Sequence, residues 1–377
     1  MEVRPATARE LEAWDDLTVY PGGGHVLQSM AWARHCGGSG WRSHHLVLGD
    51  GSAALALARP WPLLGGSSVY LSRGPIPTGS PEAMVVRLTA ITAWLGEHGA
   101  DVVASDAEVP AATGYPELLA GIGFHSIEEI QPSRHRFTLP LGHGADENTV
   151  FGGIAKSTRQ RIRRAEKVGT RIVRHDRGGG ADRGGGADHG GGGETRPGLG
   201  FEAPSEPLDA ALDRFYDLLL RTGERRHFAF GPRGSYLAWW RAAHEAGLFV
   251  LLEARAADGT PLAGLALYRH GGRLSTVHSA DDAAMRQAHP GTLHLLRWRA
   301  IQLAIREGCA EMDLGGVDLP GARHEPVTGD MMYGLAEHKR AFGATWLELT
   351  GAHERVLRPT RYAAGRALSR VARLVGR

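Results

Sequence analysis

The order of secondary-structure signals constrains this chain most, because it runs through the same series twice. Residues 7–20 and 29–35 read as helices, the first with Thr7 as N-cap and Leu11, Trp14 and Leu17 about one turn apart. Strands follow at 44–49, 53–59 and 67–72, the first two joined by Gly49-Asp50-Gly51. After the breaker Arg73-Gly74-Pro75 come a helix at 81–98, a buried strand at 102–105, a helix at 115–121 and a strand at 134–139. Near residue 150 the series restarts with a basic helix at 155–167 and a strand at 170–174. Helices at 207–222 and 234–246 follow, then an antiparallel pair, 248–254 and 262–268, around Asp258-Gly259. A strand at 273–278, a helix at 291–307, a short strand at 311–314, a helix at 333–341 and a strand at 345–350 complete it. This order predicts two similar α/β units with mixed sheets, divided as 1–150 and 151–344. A length of 377 residues suits two cores of ordinary size.

Between strand 170–174 and helix 207–222 lies 178–193, ten glycines in sixteen residues in the near-repeat GGGADR-GGGADH-GGGG. Nothing in it can bury a core, so it is expected to be a disordered insertion in the second unit.

Charge narrows the function classes. Net charge is only +2, so any nucleic-acid affinity must come from local patches. The two cysteines, Cys36 and Cys309, exclude a disulfide scaffold and multi-cysteine zinc sites; no metal or cofactor is expected. The start Met1-Glu2-Val3-Arg4-Pro5 lacks a signal peptide's apolar run, and no stretch of about 18 uncharged apolar residues exists, so a cytoplasmic protein is expected. Three basic residues are lysines, Lys156, Lys167 and Lys339, and the other forty are arginines, a bias typical of GC-rich coding. Residues 354–377 carry seven arginines and one acid, Glu354, with apolar residues partly on one helical face, the pattern of a surface helix or of peripheral contact with an anionic membrane.

The sharpest local signal is the run from Lys156 to Lys167. Residues 156–177 hold nine basic side chains against two acids. On a helix Lys156, Arg159, Arg163 and Lys167 line one face, with Arg164 beside them, a stripe suited to phosphates. A second signal is Asp313-Leu-Gly315-Gly316-Val317, a strand running into a Gly-Gly turn where a ligand can approach backbone. A third is His338-Lys339-Arg340-Ala341-Phe342-Gly343, whose lysine follows soon after that turn. There is no nucleophile elbow, P-loop or zinc-protease motif.

These pieces, in order, resemble the Fem family of peptidyltransferases, which use aminoacyl-tRNA to add residues to peptidoglycan precursors. The likeness covers nearly the whole chain: Gln28-Ser29-Met-Ala-Trp32-Ala-Arg34 with Trp41, then Ser72-Arg73-Gly74-Pro75, Asp106, the basic helix, Glu224-Arg225 with Tyr236, Asp313 to Val317, and His338 to Gly343. It implies two tandem GNAT-like domains of mixed α/β (α+β) type, the chain returning to the first after about residue 345. The coiled-coil arm of some members is not expected.

The resemblance also implies site residues. Arg34 stands where a basic residue meets the acceptor's diphosphate, Asp106 where an acid contacts the acceptor, and Arg233 and Tyr236 at further acceptor positions, with Arg73, Asp313, Gly315 and Gly316 lining the site. Lys339 matches a lysine near the tRNA end and the reacting ester, and the tRNA itself would meet Lys156, Arg159, Arg163, Arg164 and Lys167. Thr276 and His278 replace two expected tyrosines, which leaves the acceptor open: a nucleotide- or lipid-linked muramyl pentapeptide, or a soluble peptide or amino-acid natural product. Proton removal falls to the acceptor's carboxylate, Asp106 or His278. A monomer is expected. The rival on this fold is a CoA-dependent N-acyltransferase, but its pyrophosphate turn is missing; that place reads Arg286-Gln-Ala-His289-Pro290-Gly291, and Pro290 removes one needed N–H. A non-enzymatic RNA-binding protein would leave the region from Asp313 to Phe342 without a role.

Overall fold

A computed structural model describes residues 1–131, 134–142, 144–177, 200–226, 229–317 and 324–375. The glycine-rich stretch 178–193 lies outside them. The chain forms two compact units, one of residues 1–136, 316–332 and 346–377 and the other of 137–315 and 333–345.

The first unit starts with β1 (Val3–Pro5), α1 (Ala8–Glu12), α2 (Trp14–Thr18), α3 (Met30–Gly37), β2 (Arg42–Leu48), β3 (Ala53–Pro60), β4 (Ser67–Leu71), α4 (Pro81–Glu97), β5 (Ala100–Ser105), α5 (Tyr115–Gly121) and β6 (His125–Ser126). The expected helix 7–20 is broken at Ala13. Thr7 caps its first part through a capping box with Glu10. The chain then builds β7 (Arg136–Pro140), α6 (Glu147–Gly153), α7 (Lys156–Lys167), β8 (Arg171–His175), β9 (Phe201–Glu202), α8 (Leu208–Arg226), α9 (Arg233–Glu245), β10 (Phe249–Arg255), β11 (Pro261–His270), β12 (Arg273–Asp281), α10 (Thr292–Arg306), β13 (Glu311–Asp313) and α11 (Tyr333–Arg340). It ends with β14 (Thr345–Leu347), β15 (His353–Val356) and α12 (Pro359–Val375).

The two sheets share one plan. The first has the order β1-β2-β3-β4-β5-β15-β6 and the second, read from its far edge, β9-β8-β10-β11-β12-β13-β7-β14. In each, an antiparallel meander (β2-β3-β4; β10-β11-β12) is followed by a parallel neighbour (β5; β13) reached through a long helix (α4; α10). A helix is needed there because parallel strands cannot be joined by a tight turn. An antiparallel strand then covers the parallel one: β15 on β5, β7 on β13. β7 comes from the segment leading into the second unit, so the chain passes between units at 136/137 rather than near residue 150. The strand expected at 345–350 stops at Leu347, and 353–356, expected to belong to the basic tail, is a strand of the first sheet.

β3 shows why the first sheet is buried on both faces. Its alanines (Ala54, Ala56, Ala58) pack with Leu46, Leu71 and the α4 residues Leu88 and Ile91, while Leu55 and Leu57 pack with Trp14 of α2 and Ala33 of α3. Gln28 fastens this second layer. Its fully buried amide donates to the carbonyls of Leu55 (3.2 Å) and Ser72 (2.8 Å) and accepts from the Leu55 N–H (2.7 Å). In the second unit Phe215 of α8 sits where a Cβ on Gly264 of β11 would stand, 2.3 Å from that position, so helix and sheet meet through a missing side chain.

Replacing Gln28 with leucine orphans these backbone groups in a dry site. The expected cost is roughly 2–4 kcal/mol, read as a lower denaturant midpoint with an unchanged m-value.

Candidate functional site

In the second unit the site grows from the end of β13. Parallel pairing of β12 with β13 stops at Ser275 opposite Asp313, and the chain then turns at Gly315 with φ of +80°. A Cβ there would lie 2.8 Å from the Thr276 carbonyl oxygen, so both the conformation and the space require glycine. Asp313 sets the turn by accepting the Gly315 N–H at 2.7 Å. The Gly315 carbonyl accepts the Phe137 N–H at 3.1 Å and the Lys339 ammonium at 2.6 Å. Lys339, brought by α11, is 3% exposed and lies 5.9 Å from the Phe137 ring centre.

Around this lysine the unit buries further ionisable groups. Arg297 of α10 is 4% exposed; its best hydrogen bond is a long one to the Leu314 carbonyl (3.4 Å), its Nε has no partner among the described residues, and its guanidinium lies over Phe342. Burial pushes this arginine down to about 10, against the pull of Asp313. His338 and His294 pack edge to face at 4.7 Å. Burial, reinforced by Arg297 and other nearby cations, holds His338 down to about 2, and burial with Arg161 and Arg297 holds His294 at about 4. Both rings are neutral at neutral pH.

On the same unit His278 of β12 is ringed by Tyr236 (5.6 Å), Phe230 (5.9 Å) and Trp240 (5.9 Å), and burial lowers it to about 4. Between Thr276 and His278 the pairing with β11 slips by one residue, a bulge at Val277 that breaks the alternation of side chains along the strand. Arg233 is turned away from this aromatic group: it pairs with Asp213 (2.9 Å) and Asp217 of α8 and covers the Tyr216 ring at 4.8 Å.

In the first unit Asp106 is 1% exposed and already engaged. It accepts the Tyr70 hydroxyl (2.7 Å) and the Arg73 backbone N–H (2.6 Å), with the Arg73 guanidinium 3.7 Å away. Burial raises its carboxyl above the usual range despite that guanidinium. Arg73 has φ of +53°, costly for a residue with a Cβ, and the carboxylate holds it there. Asp106 therefore positions Arg73. Arg34 is exposed on α3.

The basic helix α7 buries Thr158, Ile162 and Ala165 and turns Lys156, Arg163, Arg164 and Lys167 outward. Arg159 bonds the Gly152 carbonyl, and Arg163 lies over the Phe151 ring at 5.5 Å. With Asn148 and Gln160 they line a hollow of about 250 Å³ that also holds Lys156. The helix packs on α10, where Arg161 approaches His294 (3.4 Å) and Glu166 pairs with Arg299 (2.9 Å). The Arg161 carbonyl oxygen lies 2.2 Å from where a Cβ on Gly291, the N-cap of α10, would stand.

A GNAT acetyltransferase-domain family model matches residues 192–340. No curated protein matches the chain by sequence. Among solved structures, FemX is similar with a TM-score of 0.73 and 18% identity, over 97% of this chain and 99% of that one. The chain has the fold of FemX. L-PGS from Bacillus licheniformis is similar at 0.50 and 12% identity over 97% of both chains, and a conserved protein of unknown function from Bacteroides thetaiotaomicron at 0.52 and 11%, over 94% of this chain and 98% of that one.

The FemX-like fold is thus a tandem GNAT-type acyltransferase fold with two mixed sheets. Among the described residues the longest helix has 19 residues, so there is no long coiled-coil arm. Within the second unit the fold brings Asp313, Gly315 and Lys339 together and sets Tyr236 beside His278. Gly316 marks where the chain leaves that unit. Arg297 and His294 were not singled out in the sequence, and His338 stood there only as part of the motif around Lys339. An arginine among forty carries no signal until its burial is known. Both cysteines are free, and burial raises their thiols to about 12, so neither is poised as a nucleophile.

His278, His294 and His338 are held below the unfolded value near 6.5, so the unfolded chain binds more protons than the folded one below that pH. Stability is therefore complete above about pH 6.5 and declines as pH falls from there toward 4. Melting curves from pH 7 to 5 should show this slope, and His338→Gln should flatten it.

Proposed function

We propose that the chain transfers an aminoacyl group from aminoacyl-tRNA to an amine of a peptidoglycan precursor peptide. The observation that carries this is the position of α7. In a CoA-dependent enzyme of this fold the donor's pyrophosphate would sit at the N-terminus of the helix equivalent to α10. Here the Arg161 carbonyl lies against Gly291 at that N-terminus, bringing negative rather than positive potential to it, and Pro290 supplies no N–H. The helix that carries this carbonyl turns lysines and arginines outward, where a polyphosphate backbone is the fitting partner. The FemX fold supports the same donor class.

The chemistry needs no covalent enzyme intermediate. The acceptor's neutral amine attacks the ester carbonyl carbon; the C–N bond forms, the C–O bond to the terminal ribose breaks, and the amine proton ends on the ribose oxygen. Lys339, whose ammonium donates to the Gly315 carbonyl, is the cation we assign to the developing oxyanion or leaving oxygen. His278, neutral above about pH 4, is the better proton acceptor, since the oxygens of Asp106 are held by Tyr70 and Arg73. A second reading keeps the donor and changes the acceptor to a soluble peptide or amino-acid natural product. It is favoured by the aromatic ring around His278 and by Thr276, where the Fem resemblance implies tyrosines.

The test mixes purified protein with a panel of charged tRNAs and nucleotide- or lipid-linked muramyl pentapeptide and seeks the product by mass. Transfer from acyl-CoA and from no charged tRNA overturns the reading. Lys339→Met should lower kcat by about 100-fold or more, a larger loss than any fall in its melting midpoint accounts for. Arg164→Glu with Lys167→Glu should raise KM for charged tRNA and flatten its salt dependence by about 0.7–0.9 log units for each phosphate no longer neutralised.

A further inference from the structure

One apolar side chain is used by neither the core nor the site. Leu63, at the tip of the β3–β4 turn, is 99% exposed and has φ of +57°. Its turn, Trp61-Pro-Leu-Leu-Gly-Gly66, holds no charged residue. A leucine open to water and in the left-handed region is unfavourable on both counts, which makes it a candidate for a contact made elsewhere.

The turn is fastened to α12 through one buried carboxylate. Asp101, whose side chain is fully buried, accepts the Trp61 indole N–H at 2.8 Å and faces Arg358 (3.4 Å) and Arg361 (3.3 Å). The Trp61 ring fills the place of a Cβ on Gly365, and the Arg361 guanidinium lies against Gly66. The outward side of α12 is Ala363, Ala364, Arg366, Ala367, Arg370 and Val371, with Val371 56% exposed. Residues 355–377 contain no acid, and Glu354 accepts the Tyr362 hydroxyl at 2.7 Å. The fold thus presents an aliphatic spike on a turn fastened to a helix whose exposed residues are small, aliphatic or arginine.

We propose that this face docks on an anionic lipid bilayer, with Leu63 at the headgroup–acyl boundary and Arg366 and Arg370 on lipid phosphates. Charge complementarity selects a negative surface, and the spike selects one with an apolar interior. RNA would meet the arginines but gain nothing from an aliphatic tip, and the exposed face of α12 offers no aromatic ring for a base. The proposal goes beyond the transfer reaction and does not rest on it.

The full chain is tested for co-sedimentation with phosphatidylcholine vesicles with and without phosphatidylglycerol. Binding is expected only to the anionic vesicles and should weaken in high salt. Leu63→Gly relieves the left-handed backbone, so its melting midpoint should hold or rise, while vesicle affinity falls about tenfold. Arg366→Glu with Arg370→Glu should lower vesicle affinity about thirtyfold. Equal binding of wild type to both vesicle types, no binding to either, or unchanged binding by Leu63→Gly overturns the proposal. So does a loss of tRNA binding in the double variant as large as its loss of vesicle binding.

Discussion

A parallel strand beside an antiparallel meander leaves its far edge unpaired, and both units of this protein are organised around closing that edge. β5 and β13 each enter through a long helix, and each would expose a row of backbone donors and acceptors. β15 covers β5, and β7 covers β13. Both covering strands come from outside the continuous meander: β7 precedes the rest of its sheet, and β15 follows from the chain's end. Neither sheet is complete until the chain has supplied these strands, so the two units share one covalent plan.

The second unit gathers its candidate site at the end of β13. A short parallel pairing, a glycine that no other residue could replace, and a helix delivering Lys339 place an ammonium on a backbone carbonyl in a nearly dry site. Arg297 adds a second buried cation, and two histidines stay neutral mainly because they are buried, with Arg297 adding to the effect. Asp106 in the first unit is the contrasting case, an acid consumed by Tyr70 and by the left-handed Arg73 it stabilises.

The duplicated element order was legible because strand and helix periodicities are local, and so was the outward cationic face of α7, which follows from spacings of three and four. Thr7 as a cap and the pairing of β10 with β11 were legible for the same reason. The break at Ala13, the bulge at Val277 and the recruitment of β7 and β15 were not, since each depends on what packs alongside. The glycine at 291 looked like a helix start, and nothing near it in sequence announced that the Arg161 carbonyl would lie against it. What the amino-acid order determined by itself, then, is the run of helices and strands, the basic stripe and the Gly-Gly turn. Tertiary structure alone decided which cations are buried, that Asp106 serves Arg73, that the Arg161 carbonyl lies against Gly291, and that the turn carrying Leu63 is fastened to α12. Burial and pairing depend on residues distant in sequence, and desolvation, which sets the charge state of each group, exists only once those residues meet.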